Sequence, residues 1–371
     1  MRWQVKKEIN ESVFYVLILG LALLRALTSK ILPCPADFDC NSYIQMANSI
    51  AYDEHILPHH AMRILPALLA KGLMILGMSL HTAFRLLSDG TYVLFGGLIF
   101  WVLRQYELKA WVAFAFTLLC LAPYHAMRIP LQNVYQACDI MTYPLSLLLF
   151  HFSLQKKIRW VFAIALVSIF VRQNLLVLGE FSLLYCFWQT RRKEALGYIL
   201  ALTSAYLVLQ WYYHAFSIVT HHMIPDASFF SFSHILWIIE DSKILAILIP
   251  IAPFIIIYFK QGLLFFCRNW HVAMYVGASA GQPFLAYHLT GNNYARLALQ
   301  GLWLIFLAAG FLSKGSKWSN SLVILFVTYA LAIYFSWGIP QRLLYMGLFS
   351  VGALFILLIE QRAKTRELAS A

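Results

Sequence analysis

Two carboxylates stand two residues apart in the segment Pro33-Cys-Pro-Ala-Asp37-Phe-Asp39-Cys40-Asn-Ser-Tyr43. In a turn, Asp37 and Asp39 converge, which suits either a general base or a ligand pair for a hard divalent cation such as Mg2+ or Mn2+. The structural role open to the same residues is a turn with a helix cap, Asp39 or Asn41 capping a helix from about Ser42. The two roles are compatible. Next come Asp53-Glu54-His55 and His59-His60, a histidine pair that fits a metal site or plain polarity at an interface. Arg63 follows. Its fork suits a phosphate, and equally suits snorkelling to a headgroup layer. Cys34 and Cys40 bracket the acidic pair, and an oxidising compartment permits a disulfide between them.

A second polar stretch runs from His125 to Asp139. Gln132 and Asn133 carry the hydrogen-bonding groups that sugar hydroxyls need, and Asp139 is either a second site carboxylate or the cap of the next helix. Arg172, Arg296 and Arg342 each stand at the end of an apolar run. They suit a lipid phosphate or a headgroup anchor, and Arg172 has Glu180 within reach as a structural partner. The stretch 219–242 holds His221, His222, Asp226, His234, Glu240 and Asp241, as an acceptor lid, a metal site or a solvated loop. Cys120, Cys186 and Cys267 read as apolar fillers.

The elements that must hold these residues are helices in a membrane. The 371-residue chain is 61% hydrophobic and 12% charged, too few charges for a soluble domain of this size. Apolar runs of roughly 20 residues match a bilayer core of about 30 Å. Their backbone must bond internally, and they lack the alternation of a β-barrel. The net charge of +12 does not mark a nucleic-acid binder, because the cations fall in short clusters between apolar runs, as cytoplasmic loops do. The clusters are Arg2/Lys6/Lys7, Arg104/Lys109, Lys156/Lys157/Arg159, Arg191/Arg192/Lys193, Lys260/Arg268, Lys314/Lys317 and Arg362/Lys364/Arg366.

With all of these inside, crossings fall near 12–32, 90–104, 110–124, 140–154, 160–172, 174–190, 196–216, 243–259, 271–288, 296–312, 320–337 and 343–360. The expected fold is all-α: one polytopic transmembrane domain over 1–371, with about twelve spans and both termini cytoplasmic. The apolar stretch 64–80 breaks the parity and carries Lys71 and Gly72, so it is predicted not to cross. A long first outer loop, about 33–89, then carries interfacial helices. No cleavable signal peptide is evident, and Asn10-Glu11-Ser12 falls on the inner side as a silent glycosylation signal. Every histidine but His151 and His271 falls at or near the outer face.

The pattern Asp37-Phe-Asp39 after the first span, then Tyr43, Ala47 and Arg63-Ile-Leu-Pro66, resembles the C-type (GT-C) membrane glycosyltransferases and their bacterial relatives. More diffuse matches are Asp139, Arg172-Gln-Asn and Asn292-Asn-Tyr-Ala-Arg296. The resemblance implies an inverting enzyme of the bacterial inner membrane that takes a sugar from a polyprenyl-phosphate donor to a lipid or glycan acceptor at the periplasmic face. It implies Asp39 or Asp37 as base or acceptor-positioning group, with Asp139 as the second carboxylate. Arg63 and Arg296 would hold the donor phosphate, with Arg172, Arg342, Tyr43, Gln132 and Asn133 lining the substrate site. A divalent cation belongs to some relatives and not to others. The rival readings are a polysaccharide polymerase or ligase using an undecaprenyl-diphosphate-linked glycan, and a lipid or solute transporter. A transporter places charge near the midplane on a path to both faces. Here only Arg25 and Glu180 lie clearly within spans.

Overall fold

A computed structural model describes residues 2–34, 39–49, 56, 58–122, 129–216, 252–253, 255–256, 258–285, 294–312, 325, 327–329, 332 and 339–370. Among them the chain is helical throughout, without a strand. The helices are α1 (Arg2–Thr28), α2 (Cys40–Ser49), α3 (Pro58–Ala61), α4 (Ile64–Ile75), α5 (Leu80–Gln105), α6 (Ala110–Leu121) and α7 (Ile129–Gln132). After a 3-10 turn at Val134–Gln136 come α8 (Ala137–Leu154), α9 (Ile158–Ile169), α10 (Asn174–Thr190) and α11 (Glu194–Phe216). The remainder are α12 (Phe259–Arg268), α13 (Trp270–Leu285), α14 (Tyr294–Leu312) and α15 (Ile339–Ser370). Among the described residues four segments are long and apolar enough to cross a membrane: Glu11–Thr28, Leu80–Gln105, Val134–Leu154 and Glu194–Ala215. The chain is a membrane-embedded helical protein. The predicted spans 243–259 and 320–337 lie largely outside the described residues.

Side-chain contacts set the direction of each helix. Arg104 pairs with Glu11 at one end of α1 and α5, while Arg85 Nη2 donates to the Leu27 carbonyl at the other, 3.2 Å away. These two helices are therefore antiparallel, and the chain between them starts and finishes at the same end. Their close approach uses Gly96 and Gly97, against Ile18 and Tyr15. α8 runs parallel to α5, as Tyr135 meets His81 and Phe84, Tyr143 meets Phe95, and His151 meets Trp101. α14 runs the same way, with Trp303 against Phe95 and Phe311 against Tyr106. Arg104, Lys109, Lys156, Lys157, Arg159, Arg191, Arg192 and Lys193 thus gather at one end, the basic end. Glu107 and Lys156 take positive φ there, ending α5 and α8 without glycine.

The opposite end carries α2, α3 and α4 on a small core of its own. Tyr43, Met46 and Ala47 of α2 pack with Ala67 and Ala70 of α4, Phe84 of α5, and Val134, Cys138 and Val171. α4 has 12 residues, about 18 Å of helix, short of a bilayer core. It stops in a Schellman motif. Gly77 at φ 94° takes the left-handed position, Gly77 N–H bonds Met74 O, and Met78 N–H bonds Leu73 O. Lys71, in its middle, donates to the Asn48 carbonyl of α2 at 3.0 Å.

Ser79 then caps α5 by accepting from Thr82 N–H at 3.2 Å. The helix that carries the predicted span 90–104 begins at Leu80, inside the stretch 33–89 that the sequence reading gives to one loop. Hydropathy marks only apolar turns, whereas the helix extends through His81, Arg85 and Asp89, the last two joined at 3.3 Å.

Candidate functional site

The polar side chains of the opposite end converge where α2, the α3–α4 junction and the α9–α10 hairpin meet. Each is held by its backbone. Asp39 immediately precedes α2, with Ser42 N–H bonded to its backbone carbonyl at 3.1 Å. Cys34 and Cys40 form a disulfide, with Cα atoms 6.0 Å apart. α3 is a single turn closed by the bond from Arg63 N–H to His60 O at 2.9 Å. That turn sends His60 to the acidic residue and Arg63 to the hairpin. The hairpin reverses without glycine or proline, through Arg172 N–H to Ser168 O and Leu175 N–H to Arg172 O. Leu65 N–H bonds Phe170 O at 3.1 Å, tying α4 to it.

Arg63 is the hub. Its Nε donates to Gln173 Oε1 at 3.0 Å, and its Nη1 donates to the Tyr43 hydroxyl at 3.1 Å. Tyr43 is buried beside Cys138; burial raises its phenol well above the ordinary range, and the Arg63 charge opposes the rise. Tyr43 is therefore a neutral, fixed partner. Arg172 and Asp139 form an ion pair in which each side chain is only 3% exposed. The Cys138 thiol lies 3.7 Å from Asp139 Oδ1. At the mouth, Asp39 Oδ2 stands 3.6 Å from His60 Nε2, and Ser42 Oγ lies 3.4 Å from His60 Nδ1. Asp39 is 30% exposed against 6% for His60, so the carboxylate faces outward over a buried imidazole.

A partly exposed carboxylate can accept a proton from a hydroxyl, and a half-buried guanidinium oriented by two hydrogen bonds can hold an anion. Among the described residues no three His, Cys, Asp or Glu side chains gather as a metal cluster. Asp39 and His60 offer one hard and one softer donor, short of the 6 oxygens that Mg2+ or Ca2+ takes.

Of the residues singled out in sequence, the fold brings together Asp39, Tyr43, Arg63, Asp139 and Arg172. The structural alternative for Arg172, a pair with Glu180, is not the one made: Arg172 pairs with Asp139, and Glu180 accepts from Thr203 Oγ1 at 2.7 Å. The reason is depth, since Asp139 opens α8 at the level of the hairpin while Glu180 lies further along α10. Asp139 is in the first turn of α8 but its cap position is Gln136. Gln132 and Asn133 sit at the same end, where their carbonyls accept from Leu32 and Gln136. Asp37, Asp53, Glu54, His55, His125 and the stretch 219–242 lie outside the described residues. Arg296 and Arg342 are in α14 and α15, and their side chains lie outside the described set. Cys120 and Cys186 are buried as expected, but Cys267 is exposed, because the short helix α12 turns it away from α13 and α14.

His60 and Gln173 both fall in motifs the sequence analysis names, but their pairings with Asp39 and Arg63 were not foreseen; Arg63 and Gln173 are 110 residues apart. No family model, characterised protein or solved structure matches this chain. The chemistry of the site is therefore read from its own residues.

Proposed function

We propose that the protein is a membrane glycosyltransferase that moves a sugar from a polyprenyl-phosphate donor to an acceptor hydroxyl at the end of the bundle opposite the basic clusters. The observation that carries the reading is Arg63, held between Tyr43 and Gln173 near the outward-facing Asp39. In this reading Asp39 takes the proton of the acceptor hydroxyl, whose oxygen attacks the anomeric carbon. The bond from that carbon to the phosphate oxygen breaks, and the departing phosphate gains charge beside Arg63. Arg296 approaches the same end from α14 and is assigned to the phosphate as well. Asp139 and Arg172 are assigned to positioning, since each neutralises the other. Configuration inverts because one displacement occurs.

About twelve spans, cytoplasmic termini and a periplasmic active face in an inner membrane complete the proposal. The antiparallel α1–α5 pair supports it, because a segment that begins and ends at one face does not cross. Ser153 and His271, joined at 2.8 Å in the half of the bundle nearer the basic end, are what favours a transport path instead. Both are buried, and the Tyr185 ring stacks on His271 at 4.0 Å, which fits packing better than conduction.

The test compares glycans and lipid carriers by mass spectrometry in cells making the wild type or Asp39→Asn. Carrier-linked sugar should accumulate in the variant and a glycan should lose the corresponding mass. Identical profiles would sink the proposal.

A further inference from the structure

One helical turn below the Asp139–Arg172 pair, the bundle buries a layer of polar groups that its own packing leaves short of partners. Asn174 Nδ2 donates to Gln300 Oε1, joining the first residue of α10 to α14. The other ends of these amides, Asn174 Oδ1 and Gln300 Nε2, have no hydrogen-bond partner among the described residues, and neither has Trp303 Nε1. Gln300 is 1% exposed and Trp303 0%. Three residues apart, they share a face of α14. Tyr275 of α13 stands beside them, since a Cβ on Gly301 would lie 3.3 Å from its carbonyl oxygen. Tyr143, one turn inward from Asp139 on α8, packs against the Trp303 ring at 6.3 Å.

A buried polar atom without a partner forfeits the hydrogen bonds it made to water, and roughly 90% or more of buried polar groups have a partner. Three such atoms in neighbouring positions point to a bound group that supplies the missing bonds. Its chemistry follows from theirs. One acceptor and two donors, all uncharged and set among aromatic rings, fit neither a phosphate nor a metal ion. They fit a ring of hydroxyls, which both give and accept, with C–H faces to lie on Trp303 and Tyr143.

We infer that Asn174, Gln300 and Trp303 form the subsite for the sugar ring of the donor lipid. The inference rests on the transfer reading and deepens it. Consecutive residues link the two sites: Gln173 anchors Arg63, the phosphate group's partner, and Asn174 anchors Gln300.

The experiment uses the full chain in lipid nanodiscs and two kinds of probe: a polyprenyl monophosphate, and a panel of the same lipid phosphate carrying a hexose or pentose. At least one sugar-bearing lipid should bind about tenfold tighter than the bare phosphate, the worth of one or two net hydrogen bonds. Asn174→Leu with Gln300→Met, which keeps the volume and removes the polar atoms, should erase that preference while holding the bare-phosphate affinity within about twofold. Trp303→Phe, which keeps the aromatic ring and drops the N–H, is the companion should the double variant fail to fold. Equal binding of bare and sugar-bearing lipids by the wild type overturns the subsite and leaves the phosphate site standing. An intact preference in a folded variant also overturns it. Binding of neither probe removes the transfer reading itself, and the subsite with it.

Discussion

Arg63 is placed by two directional bonds from different nitrogens, to Gln173 and to Tyr43. A lysine offers charge without that fork. Arg63→Lys should therefore lose most of the transfer activity, by about a hundredfold or more, although the charge is kept, and in vitro transfer rates would reveal it. Preservation of activity in Arg63→Lys would mean that charge alone is used. The Asp139–Arg172 pair makes a stability prediction. Removing one partner of a buried pair strands a charge, at a cost of about 3–5 kcal/mol. Asp139→Asn should lower the thermal unfolding temperature sharply, whereas Asp139→Leu with Arg172→Met should recover most of it. If both variants melt alike, the pair is not what holds the hairpin.

At the scale of elements, the α9–α10 hairpin carries Arg172 and Gln173 at its tip, so its packing sets where they stand. Its crossing is tight: a Cβ on Gly179 would fall 2.5 Å from Ala165 Cβ. Gly179→Ala should cost about 1–3 kcal/mol through overpacking and reduce transfer as the tip shifts, with unfolding and activity measured on one preparation. The Cys34–Cys40 disulfide ties the chain leaving α1 to the start of α2, beside Asp39. Cys34→Ser with Cys40→Ser should destabilise by about 2 kcal/mol, and reductant should slow the wild type but not the double variant. Helix positions were largely legible in the sequence, because long apolar runs force helices in a bilayer. The start of α5 at Leu80 was not legible, since Ser79, His81 and Arg85 form polar helical turns that hydropathy does not mark. The break between α9 and α10 at residues 170–173 was legible only approximately, without glycine or proline to announce it.

For the whole molecule, the basic residues from Arg104 to Lys193 and the polar site occupy opposite ends of antiparallel helices. Gln45 of α2 and Lys193 before α11 are both exposed, and they mark those ends. In a Cys267→Ser background, which removes the exposed native thiol, Gln45→Cys and Lys193→Cys, made separately, should react with an impermeant thiol reagent from opposite faces of sealed, oriented vesicles. Reaction of both from one face would contradict the arrangement of α1, α5 and α11.

From the sequence alone came the solvent. The run lengths demanded helices in hydrocarbon, because hydropathy along the chain is a one-dimensional property. The disulfide was permitted by the sequence and formed only in the fold. Tertiary structure decided the partners. That Arg63 reaches Gln173, that Arg172 answers Asp139 rather than Glu180, and that Asn174 meets Gln300 are facts of helix direction and depth. A salt bridge or amide pair is made between residues at one level of a bundle, and separation along the chain carries no information about level once helices alternate up and down.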